Sequence, residues 1–176
     1  MIRDIDAFLD WFEGVHRRTV RDVSILPAEA ETWTPGVAEG GEASWGVPDL
    51  VRHLAESRAY FAGAFLGEGW VWDTWPEALA TVDTWAPALE GSMRDLRDRL
   101  AGASDRLSTK IELIANPGRA VSAWRALMMM TEHEIAHRAQ IGAYAGLNGW
   151  PVAQLFDRTN EWVRAQREDE IKKRDP

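Results

Sequence analysis

The sequence predicts an all-α domain, a four-helix bundle with an additional carboxy-terminal helix. Four long segments repeat apolar residues every three or four positions, which is the spacing of one helix face. Prolines and glycines separate these segments. The 176 residues suit a single domain, residues 1–176, and 45% of them are apolar, which is enough for a sizeable core. An up-down-down-up bundle or a related order is expected.

The first helix is expected over residues 2–23, where apolar residues form a stripe along one side. His16 lies beside this stripe with no partner ligand near it in sequence, so it is interpreted as a surface or half-buried residue. A long loop over residues 26–47 follows, because prolines and glycines break the pattern. Trp33 and Trp45 are its apolar anchors.

The second and third helices are expected on either side of a tryptophan-rich stretch. The second helix starts near Pro48, which suits a first turn, and runs to about residue 66. His53 lies on its inward stripe. The irregular stretch then ends at Pro76, and the third helix covers residues 83 to 100 or 101.

The last third of the chain is expected to hold two more helices. Residues 107–114 partly alternate in polarity and favour a short strand, and residues 116–118 read as a turn. The fourth helix is expected over residues 119–145 and the fifth from residue 152 to about 171. The apolar side of the fifth helix is expected to comprise Val152, Leu155, Phe156, Thr159 and Trp162.

Composition restricts the chemistry and the partners. The sequence contains no cysteine, which excludes disulfides, thiolate metal sites and cysteine nucleophiles. The formal charge of −8 argues against nucleic acid as a partner, because phosphate binding needs a basic surface. No stretch has the pattern of a signal peptide or the ~20 apolar residues needed to span a bilayer. A cytoplasmic protein without a membrane partner is therefore expected.

The stretch around His133 and His137 organises the predicted chemistry. Residues four apart on a helix share a face, so two imidazoles can hold one metal ion. Gly146 and Gly149 are candidates for the end of this helix, and Pro151 cannot continue it. Two interpretations of the histidine pair follow.

One interpretation is a zinc peptidase, because His133-Glu134-Ile-Ala-His137 matches a short metalloprotease motif in which the glutamate activates water. Glu161 would then be the third ligand. The extended form of the motif and an edge strand for the peptide are both missing from the sequence. Outside this interpretation, Glu134 is expected to pair with Arg138 or to orient another group.

The other interpretation takes the third ligand from upstream. If the second and fourth helices face each other, His53 converges with His133 and His137 on one ion. Three protein ligands and an open position filled by water are typical of catalytic metal sites. Imidazole ligands do not select among zinc, nickel, iron and copper.

A family resemblance covers most of the chain. It is carried, in order, by Trp33-Thr-Pro35, Trp45-Gly-Val-Pro-Asp-Leu-Val-Arg-His53-Leu-Ala, His133-Glu-Ile-Ala-His137-Arg-Ala-Gln-Ile and Gly149-Trp-Pro151. These segments resemble the DinB/YfiT-like superfamily. The resemblance implies a four-helix bundle, a divalent-metal site with ligands His53, His133 and His137, and a homodimer. Ala139 stands where members often have glycine, which argues against assigning a subfamily.

The resemblance also implies a function. We expect a metal-dependent hydrolase, or a thiol-dependent S-transferase of the bacillithiol or mycothiol type, that acts on a small molecule. The cofactors would be a divalent metal, zinc or nickel, and a low-molecular-weight thiol, since the chain has no cysteine of its own. A non-catalytic, metal-stabilised stress-response or binding protein is the alternative. Candidate residues for the substrate pocket, all near a ligand on the inward stripes, are Ser57, Tyr60, Met130, Gln140 and Tyr144.

Overall fold

Four long helices form a bundle in the computed structural model, which describes residues 3–36, 41–71, 79–154 and 158–174. The helices of the bundle are α1 (Ile5–Ser24), α2 (Val47–Leu66), α3 (Val82–Leu100) and α4 (Trp124–Asn148), and a further helix, α5 (Asn160–Arg174), follows them. The predicted fold class is confirmed. The end of the tryptophan-rich stretch, at residues 72–78, lies outside the described residues. Among the described residues, no helix combines the length and the apolar character needed to cross a membrane.

Side-chain contacts define the helix directions. Helices α1 and α3 run in opposite directions, α2 runs parallel to α3, and α4 runs parallel to α1, which gives the up-down-down-up order. The contacts are Glu13–Arg97 and His16–Glu90 between α1 and α3, Arg58–Ser92 and Glu68–Arg99 between α2 and α3, and Thr19–Glu134 and Asp22–Arg138 between α1 and α4. Helix α2 therefore lies antiparallel to α4, which brings the middle of one against the middle of the other.

The ends of the helices follow local signals in the sequence. Asp4 precedes α1, and its Oδ1 accepts a hydrogen bond from the backbone N–H of Ala7 at 2.7 Å, which satisfies a free donor of the first turn. Helices α2 and α4 end at Gly67 (φ 82°) and Gly149 (φ 68°), and both glycines adopt the left-handed conformation that other residues disfavour. Of the two predicted candidates for the end of α4, Gly149 is the residue that caps it, so the helix continues three residues beyond its predicted end at residue 145.

A β-hairpin occupies part of the range predicted as helix. The strands β1 (Lys110–Leu113) and β2 (Asn116–Ser122) pair antiparallel, with Lys110 opposite Ser122. The predicted turn at residues 116–118 is wrong, because the chain turns at residues 114–115. The predicted start of α4 at residue 119 is also wrong. Residues 119–122 belong to β2, where residues 120–122 pair with β1 instead of forming a helical turn, so α4 begins only at Trp124.

Helix α5 is shorter and more exposed than predicted. Residues 151–154 are not helical, and α5 starts at Asn160, so the predicted start at residue 152 is wrong. The described members of the expected apolar side, Val152, Thr159 and Trp162, are all exposed, Val152 by 49% and Trp162 by 48%, so they are not buried against the bundle. Leu155 and Phe156 lie outside the described residues.

A layer of buried polar residues separates two apolar clusters in the core. One cluster surrounds Phe8, Phe12 and Phe65 near the hairpin, and the other surrounds Leu50 and Trp85 near the opposite end of the bundle. At mid-height, between these clusters, the four helices bury polar side chains instead. The buried polar side chains are His16, Thr19, His53, Ser57, Arg58, Ser92, Thr131, Glu134, His137 and Arg138. Burying a polar group costs folding free energy unless the group is paired, so a layer of buried polar residues indicates a functional role for this part of the bundle.

Candidate metal centre

Three histidines converge at one side of the polar layer. His53 comes from α2, and His133 and His137 come from consecutive turns of α4. Their ring centroids are 4.4 Å apart for His133 and His137, 4.6 Å for His53 and His133, and 5.0 Å for His53 and His137. One nitrogen from each ring lies within 4.8 Å of the nitrogens of the other two. The antiparallel packing of α2 on α4 thus brings together the three histidines that the sequence predicted as one group.

The environment of His53 and His133 favours neutral imidazoles. Burial, with further contributions from His137 and His53, lowers the pKa of His133 to about 3. Burial, followed by the neighbouring His137, also lowers the pKa of His53, although Glu42 acts in the opposite direction. A neutral imidazole keeps a lone pair on one ring nitrogen, which is the form that binds a metal ion.

Gln140 fixes the orientation of His137. The Nδ1 atom of His137 lies 3.0 Å from the amide oxygen of Gln140, and because that oxygen only accepts hydrogen bonds, the proton of the ring is on Nδ1. The Nε2 atom then presents its lone pair to the other two histidines. The amide nitrogen of Gln140 donates to the Tyr144 hydroxyl at 2.6 Å and to the backbone carbonyl of Glu42 at 2.8 Å. A hydrogen bond to the outer nitrogen is the usual support of a metal-binding histidine.

The donor set fits a borderline divalent ion. The Nε2 atoms of His53 and His133 are 2.7 Å apart, and a tetrahedral ion with bonds of ~2.0–2.1 Å would place two donors roughly 3.3 Å apart. A small separation of the two rings would therefore admit an ion. The Nδ1 atom of His133 is buried and has no hydrogen-bond partner among the described residues, so the ring makes its polar contact through Nε2, toward His53. Three imidazole nitrogens suit zinc, nickel, iron or copper.

A short loop segment covers the histidines on the solvent side. The carboxylate of Glu42 places Oε1 at 3.8 Å from His53 Nε2 and Oε2 at 3.8 Å from His137 Nε2, and its side chain is 58% exposed. Trp45, at the end of the same segment, packs edge-on against His53 with ring centroids 4.9 Å apart. Glu42 was not among the predicted site residues, because a loop has no periodicity that would indicate where its side chains point. Its position three residues before the Trp45 motif was the only available signal.

Glu134 faces away from the histidines, into the bundle. Its carboxylate accepts hydrogen bonds from Arg58 Nη2 at 2.8 Å and Nε at 3.1 Å, and from the Thr19 hydroxyl at 2.8 Å. The predicted pairing with Arg138 is therefore wrong, because Arg58 reaches Glu134 from α2. Arg138 lies 3.8 Å from a carboxylate oxygen of Asp22 instead.

His16 belongs to the same buried network. Its side chain is completely buried, so the interpretation as a surface or half-buried residue is wrong. Its Nδ1 atom accepts a hydrogen bond from Arg58 at 3.1 Å, and its Nε2 atom lies 3.2 Å from the carboxylate of Glu90. Arg58 further donates to the carbonyl of Leu89 and the hydroxyl of Ser92. The network was missed because its members come from four helices far apart in sequence.

The five predicted pocket residues have different surroundings. Gln140 and Tyr144 are connected to the site through His137, as described above. Met130 and Ser57 are 1% and 2% exposed, and the Ser57 hydroxyl donates to a backbone carbonyl of its own helix at 3.0 Å. Tyr60 is partly buried beside Phe61 and Trp70. Their role as a substrate pocket stays a prediction.

The sequence as a whole matches a known family. The profile of the DinB family matches residues 1–170. The chain belongs to the DinB family. A crystal structure of a DinB-like protein from Bacillus cereus is similar, with a TM-score of 0.68 and 16% identity over 88% of this chain and 99% of that one. The DinB-like protein YjoA from Bacillus subtilis has a TM-score of 0.58 and 18% identity over 84% and 96% of the two chains.

These DinB-like structures share the fold of the chain, and at such low identity they carry no further conclusion. No curated protein has a matching sequence. Membership of the DinB family and the close group of three histidines are together compatible with metal binding.

Proposed function

We infer that this DinB-family protein binds one divalent metal ion through His53, His133 and His137 and uses it to act on a small molecule. The observation that carries this proposal is the convergence of three histidine rings from two antiparallel helices. The ring of His137 is already oriented by Gln140, so a metal ion would find at least one ligand held in place. Imidazole donors suit zinc, nickel, iron and copper alike, and zinc or nickel is the ion proposed from the family resemblance.

The bound ion would lower the pKa of a coordinated water or thiol and so supply a nucleophile at neutral pH. Two reaction types follow, hydrolysis and transfer to a thiol. The sequence has no cysteine, so a thiol would have to come from a small soluble molecule. The protein's own side chains would hold the ion, exclude bulk water through Trp45 and position the substrate near Gln140 and Tyr144.

The zinc peptidase alternative is disfavoured by the position of Glu134. A peptidase of this class needs the glutamate of the motif to reach the metal-bound water. Here the Glu134 side chain is 1% exposed and hydrogen-bonded to Arg58 and Thr19. Since the third histidine comes from α2, the proposal needs neither Glu134 as a base nor Glu161 as a ligand.

The metal content of the purified protein tests the proposal. Wild type, His53→Ala and His16→Asn are each incubated with zinc or nickel, desalted and analysed for bound metal. We expect about one equivalent in the wild type, loss in His53→Ala, and retention in His16→Asn, which removes a buried histidine outside the site. Circular dichroism checks that each variant is folded.

Equal metal in the wild type and His53→Ala would overturn the three-histidine site. Metal binding with no turnover across hydrolase and thiol-transferase substrates would favour the non-catalytic alternative, a metal-stabilised binding protein. The homodimer implied by the family resemblance stays a prediction and is testable by sedimentation of the same samples.

A further inference from the structure

We propose that Glu42 is a fourth protein ligand of the metal ion and occupies the position that faces solvent. The proposal rests on the metal binding inferred above and adds to it a residue that lies outside the three-histidine group. Its basis is the position of the Glu42 carboxylate, whose two oxygens lie 3.8 Å from the Nε2 atoms of His53 and His137.

The distances from the Glu42 oxygens to the two Nε2 atoms are close to those between ligands of one metal ion. Nitrogen and oxygen donors bound to one tetrahedral ion at ~2.0–2.2 Å are roughly 3.3–3.5 Å apart, and wider angles increase this separation. The carboxylate of Glu42 is therefore within a few tenths of an ångström of the required separation from two of the three histidines. Its side chain is 58% exposed, so it can rotate toward the ion without displacing the core.

The backbone of Glu42 is held at the site by contacts independent of its carboxylate. Gln140, which orients His137, also donates a hydrogen bond to the backbone carbonyl of Glu42 at 2.8 Å. Glu42 begins the short 3₁₀ turn Glu42–Ser44, and Trp45 directly after it packs against His53. The segment thus contacts the surroundings of two histidines, which positions the carboxylate between them.

The charge of the site points in the same direction. Three neutral imidazoles leave both positive charges of a divalent ion uncompensated, and burial makes uncompensated charge costly. The two glutamates that flank His133 in the sequence are engaged elsewhere, Glu134 by Arg58 inside the bundle and Glu132 by Arg125 on the surface. Glu42 supplies a negative charge from the solvent side. A carboxylate on an exposed loop is also a ligand that an incoming substrate or thiol can displace.

The test compares metal binding by full-length wild type, Glu42→Gln, Glu42→Ala and the control Glu29→Gln. Glu29 is an exposed glutamate in an earlier loop, so its replacement removes the same charge away from the histidines. Zinc affinity is measured by competition with a chromophoric chelator, and the visible spectrum of the cobalt(II)-loaded protein reports the coordination sphere.

We expect both Glu42 variants to bind zinc at least tenfold more weakly and to show a changed cobalt spectrum, while Glu29→Gln matches the wild type. Zinc affinities within twofold of the wild type, with an unchanged cobalt spectrum, would overturn the proposal. The proposal would also be overturned if the Glu42 variants bound zinc more weakly at low salt, matched the wild type at high salt and kept its cobalt spectrum. Such a result would show that Glu42 attracts the ion by its charge without coordinating it. In both cases the wild type still binds zinc, whereas a wild type that binds none refutes the proposed function itself.

Discussion

Arg58 and Glu134 form a two-point ion pair at the centre of the bundle. Nη2 of Arg58 lies 2.8 Å from Oε1 of Glu134, Nε lies 3.1 Å from Oε2, and each side chain is 1% exposed. Glu134 directly follows His133 and points about 100° away from it around α4. The pair therefore fixes the rotation of α4 that turns His133 and His137 toward α2.

Removing the negative charge of this pair should destabilise the fold strongly. In Glu134→Gln, Arg58 keeps its charge in a buried position without a carboxylate, and broken buried pairs of this kind cost about 3–5 kcal/mol. Urea denaturation measures the free energy of unfolding of the variant and the wild type.

The matched control is the exposed pair of Arg125 and Glu132 on the same helix. Arg125 Nη1 lies 2.8 Å from Glu132 Oε1, but the two side chains are 43% and 59% exposed. Exposed pairs of this kind contribute about 0–1 kcal/mol to the free energy of unfolding. We expect Glu132→Gln to change the unfolding free energy by less than about 1 kcal/mol. Similar losses of unfolding free energy in the two variants would show that the buried Arg58–Glu134 pair stabilises the fold no more than the exposed pair does.

Acid should destabilise the metal-free protein, partly through His16. Burial, and then the charge of Arg58, lowers the pKa of His16 below its ordinary value of 6.5. Below about pH 6.5 the unfolded chain therefore binds more protons than the folded one, so the stability present above that pH is lost as the pH falls. His53 and His133, whose pKa values are also lowered, act in the same direction.

Denaturation with a chelator present, between pH 7.5 and 5, measures this dependence. One titrating group contributes at most about 1.4 kcal/mol per pH unit. His16→Asn keeps an acceptor for Arg58 and removes the titration, so its stability should fall less steeply with acid. A slope equal to that of the wild type would contradict the assignment.

Gln140→Ala should weaken metal binding without unfolding the protein. The variant loses the hydrogen bond to His137 Nδ1 and the one to the Glu42 carbonyl. Loss of such a supporting partner typically lowers metal affinity 10–100-fold. Chelator competition measures the affinity, with Gln166→Ala on the exposed α5 as the control. An affinity within twofold of the wild type would mean that the ring of His137 is oriented by packing alone.

Gly46→Ala should displace the start of α2. A Cβ atom at this position would lie 2.6 Å from the backbone carbonyl of Trp33, so the two loop segments would have to separate. We expect a loss of about 1–3 kcal/mol, as for other overpacked positions. Gly142→Ala is the control, because a Cβ there meets nothing within 4 Å. Because Gly142→Ala removes a glycine from the interior of α4, we expect this control to stabilise the protein by up to about 1 kcal/mol.

Truncation at residue 157 should leave the stability of the bundle nearly unchanged. The side chains of α5 whose surroundings are described are all exposed, so their removal uncovers little apolar surface. We expect the unfolding free energy to change by less than about 0.5 kcal/mol. Leu127→Ala, a fully buried residue of α4, shows the sensitivity of the measurement with an expected loss of about 2–5 kcal/mol. A large loss on truncation would indicate that α5 packs against something, such as a second copy of the chain.

The histidine group could be predicted because helical spacing carries geometric information. His133 and His137 are four residues apart on one helix, and His53 lies on the inward face of another, so only the pairing of the two helices had to be assumed. Arg58 could have been found by the same reasoning. It follows Leu54 by four residues and precedes Phe61 by three, which places a charge on an apolar face that needs a partner.

The remaining features depend on contacts that sequence spacing does not encode. The partner of Arg58 is 76 positions away, and only the packing of α2 on α4 identifies it as Glu134. Strand β1 lies within residues 107–114, where a short strand was predicted. Strand β2 was missed because residues 119–122 have no strong strand pattern, and the pairing of residues 120–122 with β1 determines their conformation. Glu42 is positioned by Gln140 and by the loop around Trp45, so its location could not be read from periodicity.

The contact between Trp45 and His53 gives this protein an intrinsic optical reporter. An indole whose ring centre is 4.9 Å from that of His53, a proposed metal ligand, would sense the arrival of an ion. Nickel, cobalt or copper would quench its emission, whereas zinc, which has a filled d shell, would shift it without strong quenching. The chain has ten tryptophans, and Trp45→Phe would identify the share of the signal that comes from this one. The rate at which the site takes up and releases its ion could then be followed without an attached dye.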